Sequence, residues 1–412
     1  MRFFLKSVLV GLVVLLIGLP VTGAGAKDKV IKVGISAGMT GPYGAVGRYI
    51  VGGRQDHTKW VNENGGIKFT DPKTGKTEYA KLELLWGDDA YNVSKCISNY
   101  KRFAADGTVS FQAPFSGGTL ALMPIMKREK VPEIGHPMAL EIVEPPGWYF
   151  LIWLTYQDAY AGFLKWAKDN WTKDRPMRIA FIGPNTPVGR ACLTKGTKAY
   201  TKSLGVEIVG DEIIPSQPLN SKPNLLKIKA KHPDYLYCST LGSVNGKVLK
   251  DFYELGMKKE TIYVASLGQY SEEGFKIAGK EANEGLLMTN ATRLYPSDAK
   301  GMKLMMEKFK ECQPGKEWNL AYLFGWTGGI ATTEAIKRAL NKTGYPITGQ
   351  DVYNAAMTIK DFDMMDIQHP LSWGPDIRAG IDSCFLFEVR DLKWVLKEPK
   401  PIKCPHIKRD TK

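Results

Sequence analysis

Three groups of residues in this 412-residue chain are of types suited to chemistry. The first is the adjacent pair Asp88-Asp89, at the end of the apolar run Leu82–Trp86. Two carboxylates can share general acid and base work, but neighbours on a strand point to opposite faces, so this pair does not converge by itself. The second group is Cys96, Cys192, Cys238, Cys312, Cys384 and Cys404, with five histidines. No CxxC pair occurs and the histidines lie far apart, so the ligand spacing of a zinc site is missing. The third group is two loops rich in small and hydroxyl residues, Met39-Thr40-Gly41-Pro42-Tyr43-Gly44 and Pro114-Phe115-Ser116-Gly117-Gly118-Thr119. The second loop opens a helix, where free N–H groups and the Ser116 hydroxyl suit a carboxylate or another acceptor. Serine is also a favoured N-cap in any helix, which is the plainer explanation. No glycine-rich dinucleotide fingerprint follows the first strand, and no GxxxxGK[ST] phosphate loop occurs.

Both loops need strands behind them. Val30–Ala37 reads as a buried strand, and 48–62 as a helix stopped by Asn64-Gly65-Gly66. The pattern then alternates: strand 82–86, helix 93–105, strand 108–113, helix 116–128, strand 131–136. A second series begins after Trp153: helix 156–170, strand 178–183, helix 189–204, strand 206–214, helix 221–231, strand 235–238, helix 243–255 and strand 262–266. Strands alternating with helices indicate parallel sheets covered on both faces, and two such series imply two doubly wound α/β lobes. Ligands of such sheets bind beyond the carboxyl ends of the strands, where both loops lie. The tail adds a strand at 286–290, a long helix at 320–340, a shorter one at 352–359 and a hairpin at 379–395 turning near Arg390-Asp391. Trp318, Tyr322, Phe324 and Trp326 on the long helix suggest a ligand box, but most of them fit core packing of an amphipathic helix better.

The chain starts with Arg2 and Lys6, an apolar run of 11 residues at Leu9–Leu19, and small residues at Ala24-Gly25-Ala26. That order predicts a cleaved secretory signal peptide over 1–26. The run is shorter than the ~20 residues of a membrane span. The mature chain, from Lys27, is long enough for two domains. Formal charge is +14, of which Arg2 and Lys6 supply two, leaving +12 on the mature chain. Such a balance favours anionic ligands or an anionic membrane face. The lysines are scattered with no aromatic-interleaved block, which argues against nucleic acid. In an exported protein six cysteines permit disulfides, and Cys384 with Cys404, flanking a short C-terminal segment, make the best candidate pair.

The stretches IKVGISAGMTGPYGAVG, GGRQDHTKWVNENGGI and LLWGDD, with Ser116-Gly117-Gly118-Thr119, Val131-Pro132, RIAFI at 178–182 and His232-Pro233-Asp234-Tyr235, resemble one family. It is the branched-chain amino-acid-type periplasmic binding proteins, the type I solute receptors of ABC importers. The resemblance covers nearly all of the mature chain. It implies two α/β lobes joined by a three-strand hinge, with 27–153 plus 287–366 as the first lobe and 154–286 plus 367–406 as the second. It implies no cofactor, no metal, a periplasmic monomer and an inner-membrane ABC permease as partner. By the resemblance, Ser116 and Gly117 match the residues that hold a ligand carboxylate. Pro137, Met138 and Ala139 form the next contacting loop, where the family commonly has a hydroxyl that Ala139 lacks. Val188 matches a position where an aromatic residue is frequent, and Leu267 falls near the acidic residue for an α-ammonium group. An unpaired buried ammonium is costly, which speaks against leucine, isoleucine or valine as the ligand. Tyr43, Phe115, Tyr156, Leu241, Leu267, Gln269 and Tyr270 are expected to line a pocket for a carboxylate or aromatic acid, which the two lobes close over. A ligand sensor for a signalling partner is the alternative on the same fold; an exported enzyme lacks a convergent catalytic set.

Overall fold

The computed structural model describes residues 29–41 and 43–408; the expected signal peptide and Pro42 lie outside them. Among these residues fourteen strands form two sheets. The first holds β1 (Val30–Ala37), β2 (Ile67–Thr70), β3 (Thr77–Asp88), β4 (Phe111–Gln112), β5 (Glu133–Gly135) and β6 (Tyr149–Leu151), in the order β2-β3-β1-β4-β5-β6. The second holds β7 (Arg178–Gly183), β8 (Glu207–Ile213), β9 (Tyr235–Cys238), β10 (Ile262–Ala265), β11 (Leu287–Asn290), β12 (Ser383–Arg390) and β13 (Lys393–Leu396), in the order β13-β12-β11-β10-β9-β7-β8, with β14 (Ile402–Lys403) beside β12. Helices between the strands cover both faces, so the central strands are buried, as the apolar runs require.

The sheets are dominated by parallel pairs, as expected, and are mixed at their edges. β2 pairs antiparallel with β3, and β12 pairs antiparallel with β11, β13 and β14. Each antiparallel pair except β11–β12 and β12–β14 joins consecutive strands through a tight turn; parallel pairs need a crossover. The hairpin at Arg390-Asp391 is present, but it begins at Ser383; Ala379 instead bridges Leu151. The expected helix 189–204 is broken into Pro187–Arg190, a 3₁₀ turn at Ala191–Leu193, and Lys195–Ser203, because Thr194 takes an extended conformation and caps the last piece.

The chain crosses between the sheets three times, along 152–155, 291–293 and 367–382. These crossings lie side by side. Gln368 Nε2 donates to Ile152 O (3.1 Å), Gly380 N to Trp153 O (2.9 Å), Trp373 Nε1 to Leu151 O (2.8 Å), and Arg293 N to Ile367 O (2.7 Å). The second crossing comes later than the sequence suggests. β11, expected to open the return to the first lobe, lies between β10 and β12 in the second sheet, fully buried and bonded on both edges.

Two helices close the first lobe. Gly44–Glu63 packs along Ala321–Thr343 at backbone contact. A Cβ on Gly53 would lie 2.1 Å from Tyr322 O, and one on Gly325 would lie 1.9 Å from Ile50 O, so only glycine allows this approach. Tyr322 and Trp326 are fully buried in that core, as the packing explanation predicts.

Candidate functional site

The carboxyl ends of β1, β4 and β5 face those of β7, β9 and β10 across a cleft. After β1 the chain turns through Gly38, and Asp88 holds the turn: it accepts from Met39 N (2.8 Å) and from the Thr40 hydroxyl (2.6 Å). Asp89 faces elsewhere and accepts from Ser36 Oγ (2.8 Å) and Tyr91 N (2.8 Å). The two carboxylates are thus loop staples that do not converge. The sequence also holds Gly34-Ile35-Ser36-Ala37-Gly38, the spacing of a serine nucleophile. Ser36 sits inside β1, fully buried and committed to Asp89 and Asn99, with no histidine bonded to it. A nucleophile needs a sharp exposed turn and a base, and this position has neither.

After β4, Phe115 is the extended N-cap of the helix Ser116–Glu129, and it makes no side-chain cap. Ser116 is therefore the first helical residue and not the capping residue. Its hydroxyl and the N–H groups of Ser116 and Gly117 are left for another acceptor, whereas Gly118 N already donates to Phe115 O (3.2 Å). Beneath the loop, Glu133 of β5 accepts from Ala113 N (3.1 Å) and Thr119 Oγ1 (2.9 Å), tying β4 and the helix to β5. Burial pushes the Glu133 carboxyl up to about 8.

The cleft encloses a cavity with ≈ 110 Å³ that water-molecule centres can occupy. One water needs about 10–15 Å³ on that measure, so the space suits a small molecule. From the first lobe Tyr43, Ile50, Tyr91, Phe115, Ser116, His136, Pro137, Met138 and Phe324 line it; from the second come Tyr156, Val188, Leu241, Gln269 and Tyr270. Of the residues expected from sequence, Gly117, Ala139 and Leu267 are not on the wall. Gly117 is turned toward Phe115 and Val93, while Ala139 and Leu267 are packed in the core. Tyr91 and His136 were missed, and Phe324 was raised only within a ligand box set aside for core packing. Tyr91 lies three residues past β3 and His136 directly follows β5, so the strand-end rule could have found them. Phe324 comes from the long helix, whose facing side sequence does not fix.

Aromatic rings form the wall. Tyr43 and Tyr91 lie 4.5 Å apart by centroid, Tyr91 and Phe115 4.6 Å, and His136 and Phe324 5.0 Å. No Asp, Glu, Lys or Arg side chain lines the cavity among the described residues. His136 contacts Thr327 Oγ1 (2.9 Å) through Nε2, and burial, helped by Arg54, lowers it to about 3, so it is neutral at ordinary pH. Gln269 is 4% exposed; its amide approaches the Tyr156 hydroxyl, but neither Oε1 nor Nε2 completes a hydrogen bond of good geometry. One helical turn beyond Ile50 lies Arg54, 2% exposed, with no ion-pair partner among the described residues and with Nε and Nη1 unbonded. Burial lowers it to about 9, which leaves it a cation at neutral pH. A group of this kind normally has an anion to answer it.

Residues 30–393 match the sequence model described as Periplasmic binding protein. A relative from Brucella suis, named Leu/Ile/Val-binding protein homolog 1, is 25% identical over 320 residues, covering 75% of this chain and 78% of that one. The Leu/Ile/Val/Thr-binding protein of Salmonella typhimurium is 23% identical over 344 residues, 83% of this chain and 87% of that one. Among solved structures, a branched-chain amino acid ABC transporter protein from Thermus thermophilus with bound valine superposes with a TM-score of 0.79 at 20% identity, over 91% of this chain and 97% of that one. A solute-binding protein from Rhodopseudomonas palustris in complex with 4-hydroxybenzoate superposes at 0.73 and 19% identity, over 91% and 98%. At these identities the structures establish a shared fold.

Proposed function

The chain belongs to the periplasmic binding protein family, and from that premise we propose that it captures a small organic acid, aromatic or otherwise apolar in its body, outside the cytoplasm for an inner-membrane ABC permease. The ligand is held between the lobes and released unchanged. The observation that carries this reading is the wall of the cavity: rings on every side, the unbonded amide of Gln269, and no charged side chain. An amino acid brings an ammonium as well as a carboxylate. Here the ammonium has no acid to meet, and an uncompensated buried ion costs several kcal/mol. A carboxylate is better served. The Ser116 hydroxyl, the first two N–H groups at that helix start and Gln269 Nε2 are donors, and Arg54 stands one helical turn from Ile50, near enough to the lining residue His136 to lower it. The Rhodopseudomonas protein with 4-hydroxybenzoate has the same fold around an aromatic acid, which supports the reading by analogy. The site residues proposed are Tyr43, Phe115, Ser116, Pro137, Met138, Tyr156, Val188, Leu241 and Gln269, joined by Tyr91, His136 and Phe324.

The test is calorimetry and thermal shift with leucine, valine, benzoate-type acids and their primary amides. Ligand that binds only the folded state raises Tm by mass action. The aromatic acids are expected to raise it and leucine is not. Tight leucine binding with no response to any aromatic acid would sink the proposal.

A further inference from the structure

The C-terminal segment crosses the back of the hinge, away from the ligand cavity. β14 pairs with the start of β12, Ser383 facing Lys403 and Cys384 facing Ile402. Past β14 the chain runs between the lobes. His406 Nε2 bonds Glu144 Oε1 of the first lobe at 2.6 Å, and Nδ1 bonds Asp158 Oδ2 of the second at 3.3 Å. Ile407 N adds a bond of 2.7 Å to Asp158 Oδ1, and the Ile407 side chain is buried. This strap is therefore fastened to both lobes, and what anchors it beside β12 decides whether it stays.

At that anchor stand the two cysteines singled out from sequence. Both are thiols in the structure, and their Sγ atoms are 3.4 Å apart. No other two cysteine sulfurs come within hydrogen-bonding reach among the described residues. Cys384 is fully buried and Cys404 nearly so. The helix Tyr156–Asp169 makes room for the second sulfur with Gly162, where a Cβ would lie 2.5 Å from Cys404 Sγ. Two thiols are thus confined side by side between adjacent antiparallel strands, on the same side of the ribbon.

We propose that Cys384 and Cys404 are oxidised to an intramolecular disulfide that anchors the hinge strap. The inference rests on export to an oxidising compartment and not on the identity of the ligand. The oxidant is the disulfide of a thiol-disulfide oxidoreductase. One cysteine thiolate attacks it and displaces one of its sulfurs as a thiol; the second cysteine then attacks the mixed disulfide and releases the other. The S–S bond formed here replaces the one broken in the oxidant, and two electrons and two protons pass from the cysteines to its two sulfurs. The reaction belongs to folding, before the strap docks. Once buried, the Cys404 thiol is a poor nucleophile: Cys384 and burial hold it well above its usual range. For the same reason the finished bond is shielded from reductants.

The experiment uses the full chain exported to a bacterial periplasm, denatured without reductant, alkylated and weighed intact, with peptide mapping. Four alkylated cysteines are expected, six after reduction, and a cross-linked peptide joining Cys384 to Cys404. Cys404→Ala should leave Cys384 alkylatable, for five in all. The double variant Cys384→Ala, Cys404→Ala, which loses the bond together with two buried sulfurs, should melt on the order of 5 °C below the oxidised protein. Six alkylated cysteines before reduction, or a cross-link between a different pair, overturns the proposal. The leader is read from the same spectra, because the mass gives the first residue. Export can therefore fail or succeed independently of the bond.

Discussion

At the residue scale, Arg54 makes the sharpest prediction because stability and function pull on it in opposite directions. It is a buried cation whose Nε and Nη1 are unbonded, one helical turn from Ile50 and close enough to lower both His57 and His136. Replacing it with methionine nearly keeps volume and removes a buried charge that has no partner, relieving a desolvation penalty of several kcal/mol. Arg54→Met should therefore raise Tm by a few degrees while weakening a carboxylate ligand about tenfold and its primary amide hardly at all. Equal losses for acid and amide would show a packing role only. This residue also marks where sequence reading stops. Ser116, Pro137 and Tyr156 were visible because strand ends and helix starts announce themselves in the order of apolar, small and periodic residues. Arg54 lies inside a helix among polar neighbours, and only the packing of a second helix 271 positions away, at Gly325, puts it in the dark. Leu267 fails for a related reason: it follows a strand, as a site residue should, but its side chain turns into the core.

At the element scale, the site depends on how closely two helices approach. Gly44–Glu63 supplies Ile50 to the cavity and Ala321–Thr343 supplies Phe324, and the two meet through Gly53 and Gly325. A methyl at Gly325 has nowhere to go: it would lie 1.9 Å from Ile50 O and 2.6 Å from Arg54 N, both backbone atoms. Gly325→Ala should destabilise by about 1–3 kcal/mol. Because the helices must part to accept it, ligand affinity should fall as well. Gly374 is the control, since nothing lies within 4 Å of its added Cβ, and Gly374→Ala should leave denaturant midpoint and affinity alike. If the two variants unfold at the same urea concentration, the close approach is not what holds the wall. Most elements were legible from period and punctuation: β7, β9 and the helix Val93–Ala105 lie where their patterns place them. β6 and the helix Lys300–Cys312 were not recognised. Three residues carry little period, and a lysine- and glutamate-rich helix shows only a thin apolar stripe, Met302, Met305, Met306 and Phe309. β11 was recognised but assigned to the wrong lobe, because a strand's pairing partner depends on segments far along the chain.

At the scale of the whole molecule, the three crossings make a hinge whose state a ligand can bias only by touching both lobes. The cavity permits this: Ser116 and His136 come from one side, Tyr156 and Gln269 from the other. Opposite the cavity, His406 bonds Glu144 and Asp158, so hinge and strap resist opening together. Asp158, and then Glu144, raise His406 from 6.5 to about 9. A base whose folded value is raised contributes its full stabilisation below the unfolded value, near pH 6.5, and loses it as pH rises through about 9. The ring is half exposed, so the contribution is at most about 1 kcal/mol. That is still enough to move a two-state hinge severalfold. Free protein at pH 6 should scatter as a more compact particle than at pH 10, and His406→Gln should erase the difference. Saturating ligand should compact the variant and the parent alike at either pH, because the contacts it adds lie on the other side of the hinge. A radius of gyration indifferent to ligand would deny the hinge its role in capture. One indifferent to pH in the parent would remove only the strap from the account.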